Sequence, residues 1–179
     1  TIDCMRRLGV TIQEHGDSEY TIEVNGVGRE GLKKPVTDLD CGNSGTTMRL
    51  LSGIIAGSGV SARLIGDESL SARTMKRIID PLRKMGANIE ARDDDFAPLE
   101  ITRNGKIAPL HFPLPIPSAQ LKSCVLLAGL FGDRSTEVIE TLPSRDHTER
   151  LLNLPIEHKG EQKVITSSRE NEIPEQSYR

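Results

Sequence analysis

The chain has no tryptophan, two tyrosines and three phenylalanines among 179 residues, so its core must be built from Leu, Ile and Val rather than from aromatic rings. Its three cysteines, Cys4, Cys41 and Cys124, are odd in number and lack CxxC spacing. That argues against a disulfide framework and a thiolate metal site, and a reducing, cytoplasmic setting is the natural expectation. No apolar run reaches membrane-spanning length and no signal peptide is visible. The formal charge is −3, and no Lys/Arg cluster is paired with aromatics, which points away from nucleic acid and membrane surfaces as partners. What remains is a soluble globular piece, long enough for one core or for two small subdomains sharing one.

The most informative stretch is Asp40-Cys41-Gly42-Asn43-Ser44-Gly45-Thr46-Thr47-Met48-Arg49, followed by the apolar Leu50, Leu51, Ile54 and Ile55. Small polar residues between glycines ahead of an apolar run read as a tight loop opening a helix, with Asn43 or Ser44 as its cap. Glycines admit a ligand close to the backbone, and the free N–H groups and dipole of a helix start favour an anion. Arg49 adds a positive charge about one turn in. Neither the P-loop nor the dinucleotide glycine pattern is present. On this stretch alone, an ordinary helix start and an anion site are equally good readings.

One pattern recurs three times. Met5-Arg6-Arg7-Leu8-Gly9-Val10-Thr11-Ile12-Gln13 is echoed by Leu82-Arg83-Lys84-Met85-Gly86-Ala87-Asn88-Ile89-Glu90, and more weakly by Glu149-Arg150-Leu151-Leu152-Asn153-Leu154-Pro155-Ile156-Glu157. Gly9, Gly86 and Asn153 share the slot that a left-handed helix end requires. Each copy therefore reads as a helix end, a cap and a strand, with second hairpin strands expected at 20–24, 98–102 and 163–166. Between the copies, Met75, Ile78, Ile79 and Leu82 mark a helix face running to about Met85, with Pro81 expected to bend it or open one hydrogen bond. Leu121, Cys124, Val125 and Ala128, together with Leu126, Leu127 and Leu130, predict the most buried helix of the chain. Strands are expected at 62–65 and 137–140. The fold class is α+β: a single domain over 1–179 of three repeated units around buried helices, the first incomplete. The units fall at about 1–65, 66–112 with 113–140, and 141–170. The opening residues read as the last turns of a helix and 173–179 as a polar extended tail, as in a segment of a longer chain.

Three further segments stand at helix starts. Arg73, Lys76 and Arg77 gather positive charge where the helix dipole prefers acids, which calls for an anionic ligand, for pairing with Asp67 or Glu68, or for a solvated face. Ser118 is a natural N-cap, and Gln120 places an amide that needs partners in the first turn of an apolar helix. In Ser144-Arg145-Asp146-His147-Thr148-Glu149-Arg150, hydroxyl, guanidinium and imidazole suit a phosphorylated, hydroxylated molecule. Asp146 with Glu149 also reads as a capping box. The repeat is expected to bring these segments to one rim.

The motifs Gly42 to Arg49, Gly66-Asp67-Glu68-Ser69-Leu70, Met75-Lys76-Arg77, Ser118-Ala119-Gln120-Leu121-Lys122-Ser123 and Ser144 to Arg150 occur in the order and spacing of one family. Across nearly its whole length the chain resembles the EPSP synthases. The resemblance implies transfer of the enolpyruvyl group of phosphoenolpyruvate to the 5-hydroxyl of shikimate 3-phosphate. Phosphate is released, a tetrahedral intermediate is passed through, and neither metal nor organic cofactor takes part. It also implies a fold of two similar domains, each of three βαβαββ units, in a monomeric cytoplasmic enzyme of the shikimate pathway that is the target of glyphosate. By position, Asn43, Gly45, Arg73 and Gln120 match the phosphoenolpyruvate pocket, where a side chain at Gly45 would hinder glyphosate. Ser118, Ala119, Gln120 and Ser144 match the shikimate 3-phosphate site, with Arg145 a weaker match; Gln120 lies under the ring and, with Arg73, has the catalytic assignment. Arg49 is left as structural support. Leu50 and Thr74 stand where many members carry Pro. The family's N-terminal Gly-Asp-Lys-Ser motif and its second domain, with further carboxylates, Lys and Arg, are not in the sequence. The stretch alone is therefore expected to be inactive. A sister transferase acting on UDP-N-acetylglucosamine, and a non-catalytic binding module of the same fold, are the alternatives.

Overall fold

The computed structural model describes residues 1–16 and 20–173; of the polar tail read at 173–179, residues 174–179 lie outside the described residues. In chain order the elements are α1 (Ile2–Arg7), β1 (Thr11–His15), β2 (Thr21–Asn25), β3 (Leu39–Asp40), α2 (Gly45–Ser58), β4 (Ala62–Ile65), α3 (Glu68–Ser71), α4 (Lys76–Lys84), β5 (Ala87–Arg92), β6 (Phe96–Arg103), β7 (His111–Pro113), α5 (Ala119–Gly129), β8 (Thr136–Glu140), α6 (His147–Leu151), β9 (Ile156–Lys159) and β10 (Gln162–Ser167).

The repeat is visible atom by atom. Gly9 (φ 96°), Gly86 (φ 97°) and Asn153 (φ 49°) all take left-handed backbone, and the N–H of each bonds the carbonyl of an arginine three residues earlier, Arg6, Arg83 or Arg150. Arg6 and Arg83 then reach forward in the same way, each donating from Nε and Nη2 to a strand carbonyl, Ile12 or Ile89. The strands that follow pair as antiparallel hairpins, β1 with β2, β5 with β6 and β9 with β10. Two hairpins are extended into sheets of order β3-β4-β6-β5 and β7-β8-β10-β9. In each, the added strands run parallel to one another, a connection that demands a crossover. Helices α2 and α5 supply these crossovers, so β3-α2-β4-α4-β5-β6 and β7-α5-β8-α6-β9-β10 have the same βαβαββ topology. The fold is α+β, with repeated units around buried helices.

The core is aliphatic: Leu8, Leu39, Met48, Ile55, Leu64, Ile78, Leu82, Leu126 and Ile165 are among its members. The helix predicted to be most buried, α5, lies against α2 at very short range, because α2 presents glycine there. A β-carbon on Gly53 would stand 2.2 Å from the Cys124 carbonyl oxygen, and one on Gly57 would meet Phe131 at 2.4 Å. Helix α4 keeps Pro81 inside it; the missing N–H opens one bond and the helix runs on to Lys84.

Candidate functional site

Helix α2 begins with Ser44 as its cap: Oγ accepts from the Thr47 N–H at 3.1 Å. This leaves Asn43 free for another task. Its Nδ2 donates to Asp67 Oδ2 at 2.8 Å and its Oδ1 accepts from Arg73 Nη2 at 2.5 Å. Asp67 is fixed in turn, accepting from the Leu70 N–H at 2.7 Å. That bond, and then the Asn43 amide, hold its carboxyl below the ordinary value. A relay of Asp67, Asn43 and Arg73 thus sets the guanidinium above the start of α2.

One turn along, Arg49 donates Nη1 to Gln120 Oε1 at 2.9 Å and Nη2 to the Thr74 carbonyl at 3.2 Å. Gln120 Nε2 donates to Thr46 Oγ1 at 2.7 Å. The amide that needed partners has them on both sides, and its orientation is locked between α2 and α5. Burial, and then the nearby Arg73 and Arg77 guanidiniums, press the Arg49 pKa below its usual value. Among the described residues, Arg49, Arg73, Arg77 and Arg145 form no ion pair with a carboxylate, unlike Lys76, which pairs with Asp80 and Asp94.

Ser118 caps α5, accepting from the Leu121 N–H. Around it lies a cleft of about 430 Å³ lined by Ser118, Ala119, Gln120, Ser144, Arg145 and two prolines. It shares Ser118 and Gln120 with a cleft of about 230 Å³ that Arg49 and Arg77 line. A third space of about 180 Å³, lined by Thr46, Gln120, Arg145 and Thr148 among others, also adjoins Gln120. These clefts bring together Gln120, Ser118, Ala119, Ser144 and Arg145; Asn43, Gly45 and Arg73 line none of them and lie beyond Arg49, which is close to Gly45 and hydrogen-bonded to Gln120. A further cleft of about 470 Å³ between α4 and β7, which shares Arg77 and Leu121 with the Arg49 cleft, contains none of the predicted site residues.

Two readings are corrected. Asp67 and Glu68 do not pair with the cationic cluster; Asp67 is spent on Asn43 and the α3 cap. The start of α4 is neutralised instead by Asp95, whose Oδ1 accepts from the Met75 and Lys76 N–H groups at 2.8 and 2.6 Å. Asp146 and Glu149 do not form a capping box: Asp146 makes no side-chain cap bond, and Glu149 is buried against Lys122 and Lys163. The residues missed by sequence reasoning are Thr46, Asp95, Lys122 and Glu140. Only Lys122 left a signal, a charge inside an otherwise apolar helix.

The guanidiniums without carboxylate partners, the helix start and the fixed amide stand on one side of an α+β domain, the class of arrangement suited to a polar, negatively charged small molecule. The model of the EPSP synthase (3-phosphoshikimate 1-carboxyvinyltransferase) family matches residues 1–179, and the chain belongs to that family. It is 49% identical over 176 residues to the 3-phosphoshikimate 1-carboxyvinyltransferase of Salinibacter ruber, covering 97% of this chain and 40% of that protein. It is 52% identical over 152 residues to the one from Solibacter usitatus, covering 85% and 35%. The structure is similar to EPSP synthase from Acinetobacter baumannii, with a TM-score of 0.83 at 39% identity over 92% of this chain and 37% of that one. The chain thus spans 35–40% of the length of these curated relatives.

Proposed function

We propose that this chain contributes one flank of the active site of a cytoplasmic, monomeric EPSP synthase. That enzyme moves the enolpyruvyl group of phosphoenolpyruvate to the 5-hydroxyl of shikimate 3-phosphate and releases phosphate, and a second domain of the same protein completes the site. The observation that carries the reading is Gln120, locked by Arg49 and Thr46 where the clefts meet. On one side Asn43, Gly45 and Arg73 offer a guanidinium and an uncluttered helix start to phosphoenolpyruvate. On the other, Ser118, Ala119, Gln120, Ser144 and Arg145 offer hydrogen bonds and a free cation to shikimate 3-phosphate. The preset guanidinium and amide groups hold the carboxylate and phosphate of phosphoenolpyruvate in place without reorganisation. Arg73 and Gln120 are the residues of this chain that touch the reacting molecules.

The sister reaction on UDP-N-acetylglucosamine, which employs a reactive cysteine, is disfavoured. Burial pushes the Cys41 and Cys124 thiols up to about 12, far from a thiolate at neutral pH. Calorimetry on the full-length protein tests the proposal. Shikimate 3-phosphate is expected to bind and UDP-N-acetylglucosamine is not. Gln120→Ala is expected to weaken shikimate 3-phosphate by about tenfold, the worth of a lost hydrogen bond or two in a polar site. Absence of shikimate 3-phosphate binding, or indifference to Gln120→Ala, overturns the reading.

A further inference from the structure

Lys122 sits at the end of the first turn of α5 with none of its surface exposed. Its ammonium is enclosed by two carboxylates, Glu140 at 3.0 Å from each oxygen and Glu149 at 2.7 Å. Lys163 from β10 closes the cluster, 2.9 Å from Glu149 and 3.8 Å from Glu140. Two lysines balance two glutamates. Burial pushes the Glu149 carboxyl up, but the two ammonium groups outweigh it and hold Glu149 below its ordinary value. A buried ion cluster of this kind gives little net stability over apolar side chains of the same volume, so stability does not account for it.

The outer edge of the cluster suggests what does. Glu140 Oε1 accepts twice from Ser144, from its backbone N–H at 3.1 Å and from its hydroxyl. The following residue is Arg145, whose exposed guanidinium makes no hydrogen bond or ion pair among the described residues. It lines two of the three clefts at Gln120. Downstream, Thr148 Oγ1 lies 2.6 Å from Ser123 Oγ of α5, so the loop is held at both ends and Arg145 projects between.

We propose that Glu140, held by Lys122, is a positioning residue. It pins the backbone at Ser144 so that Arg145 stands beside Gln120 in one place, ready for the phosphate of the acceptor substrate. Without the pin, the loop and its long side chain must be ordered on binding, at a cost in affinity. The inference rests on the reading that shikimate 3-phosphate occupies this flank, and its signature is a loss confined to the phosphate.

The test compares the affinities of full-length protein for shikimate 3-phosphate and for unphosphorylated shikimate by calorimetry. Lys122→Met with Glu140→Leu removes one charge of each sign, leaves Glu149 paired with Lys163, and removes the one oxygen that accepts from both Ser144 donors. The preference for the phosphorylated ligand is expected to fall about tenfold, the worth of a charge-assisted contact. Shikimate binding should be unaltered, and Arg145→Met added on top should cost little more. Glu140→Gln, which keeps a weaker acceptor, is expected to lose about threefold, and it decides the matter alone if the paired variant does not fold. Equal weakening of both ligands marks a purely structural cluster and overturns the proposal, as does an unchanged preference in Glu140→Gln. Wild-type protein that binds no shikimate 3-phosphate refutes the functional reading instead.

Discussion

A β-carbon built on Gly45 would lie 2.8 Å from Arg49 Nη1 and 3.5 Å from Arg73 Nη1. Both atoms are the far ends of flexible side chains, so the helix tolerates the added methyl; alanine at its first position even favours helix. The penalty falls on Arg49, which must swing away from Gln120 and loosen the amide at the junction of the clefts. Gly45→Ala is therefore expected to leave the thermal midpoint within a few degrees of wild type while raising the KM for phosphoenolpyruvate several-fold. Steady-state kinetics on the full-length enzyme with a melting curve checks this; an unchanged KM sinks it. Residue type drew attention to Gly45, Arg73 and Gln120, which stand where helix starts need explaining, while the roles proposed for them came from the family resemblance. Thr46 and Glu140 carried no such mark. Each matters through a partner far away in the chain, and spacing cannot reveal that.

Elements were legible where local chemistry dictates them. Gly9, Gly86 and Asn153 announce left-handed helix ends, and the hairpins follow from what comes next. Asp146 and Glu149 show where this stops. Their spacing fits a capping box, but a buried lysine on another element claims Glu149, and tertiary pairing overrides the local option. Asp95 is the converse, a cap for α4 reached only through the β5–β6 turn. Sequence was also silent on how closely α2 approaches α5. At Gly53 the obstruction is the Cys124 backbone, with O at 2.2 Å and C at 3.0 Å from a built β-carbon, and backbone cannot step aside as Arg49 can. Gly53→Ala should force the two helices apart and cost about 1–3 kcal/mol as overpacking. It should also stretch the Arg49–Gln120 and Thr46–Gln120 bonds that join them. Urea denaturation measures the first effect and shikimate 3-phosphate affinity the second. A variant with wild-type stability would show that the helices have slack.

The molecule as a whole carries a formal charge of −3, yet Arg49, Arg77 and Arg145 line adjoining clefts, Arg73 lies close to Arg49 across Gly45, and among the described residues none of the four is paired with a carboxylate. Elsewhere the cations are largely neutralised in place: Arg63 by Asp38, Lys106 by Asp133, and Arg83 and Lys76 by Asp94. Net charge and local field therefore have opposite signs, and a small anion responds to the local one. These guanidiniums lie at a partly open rim, so salt should screen them: the Debye length shrinks from about 10 Å at 0.1 M to about 3 Å at 1 M. The dissociation constant of shikimate 3-phosphate is expected to rise by roughly threefold to tenfold between 0.05 and 0.5 M sodium chloride. Arg145→Gln should both weaken binding at low salt and flatten that dependence, because one of the screened charges has gone. Titrations at four or five salt concentrations separate the outcomes. A salt response identical in wild type and Arg145→Gln would mean that the arginine does not face the ligand, and affinity independent of salt would mean that the rim's positive field plays no part in binding.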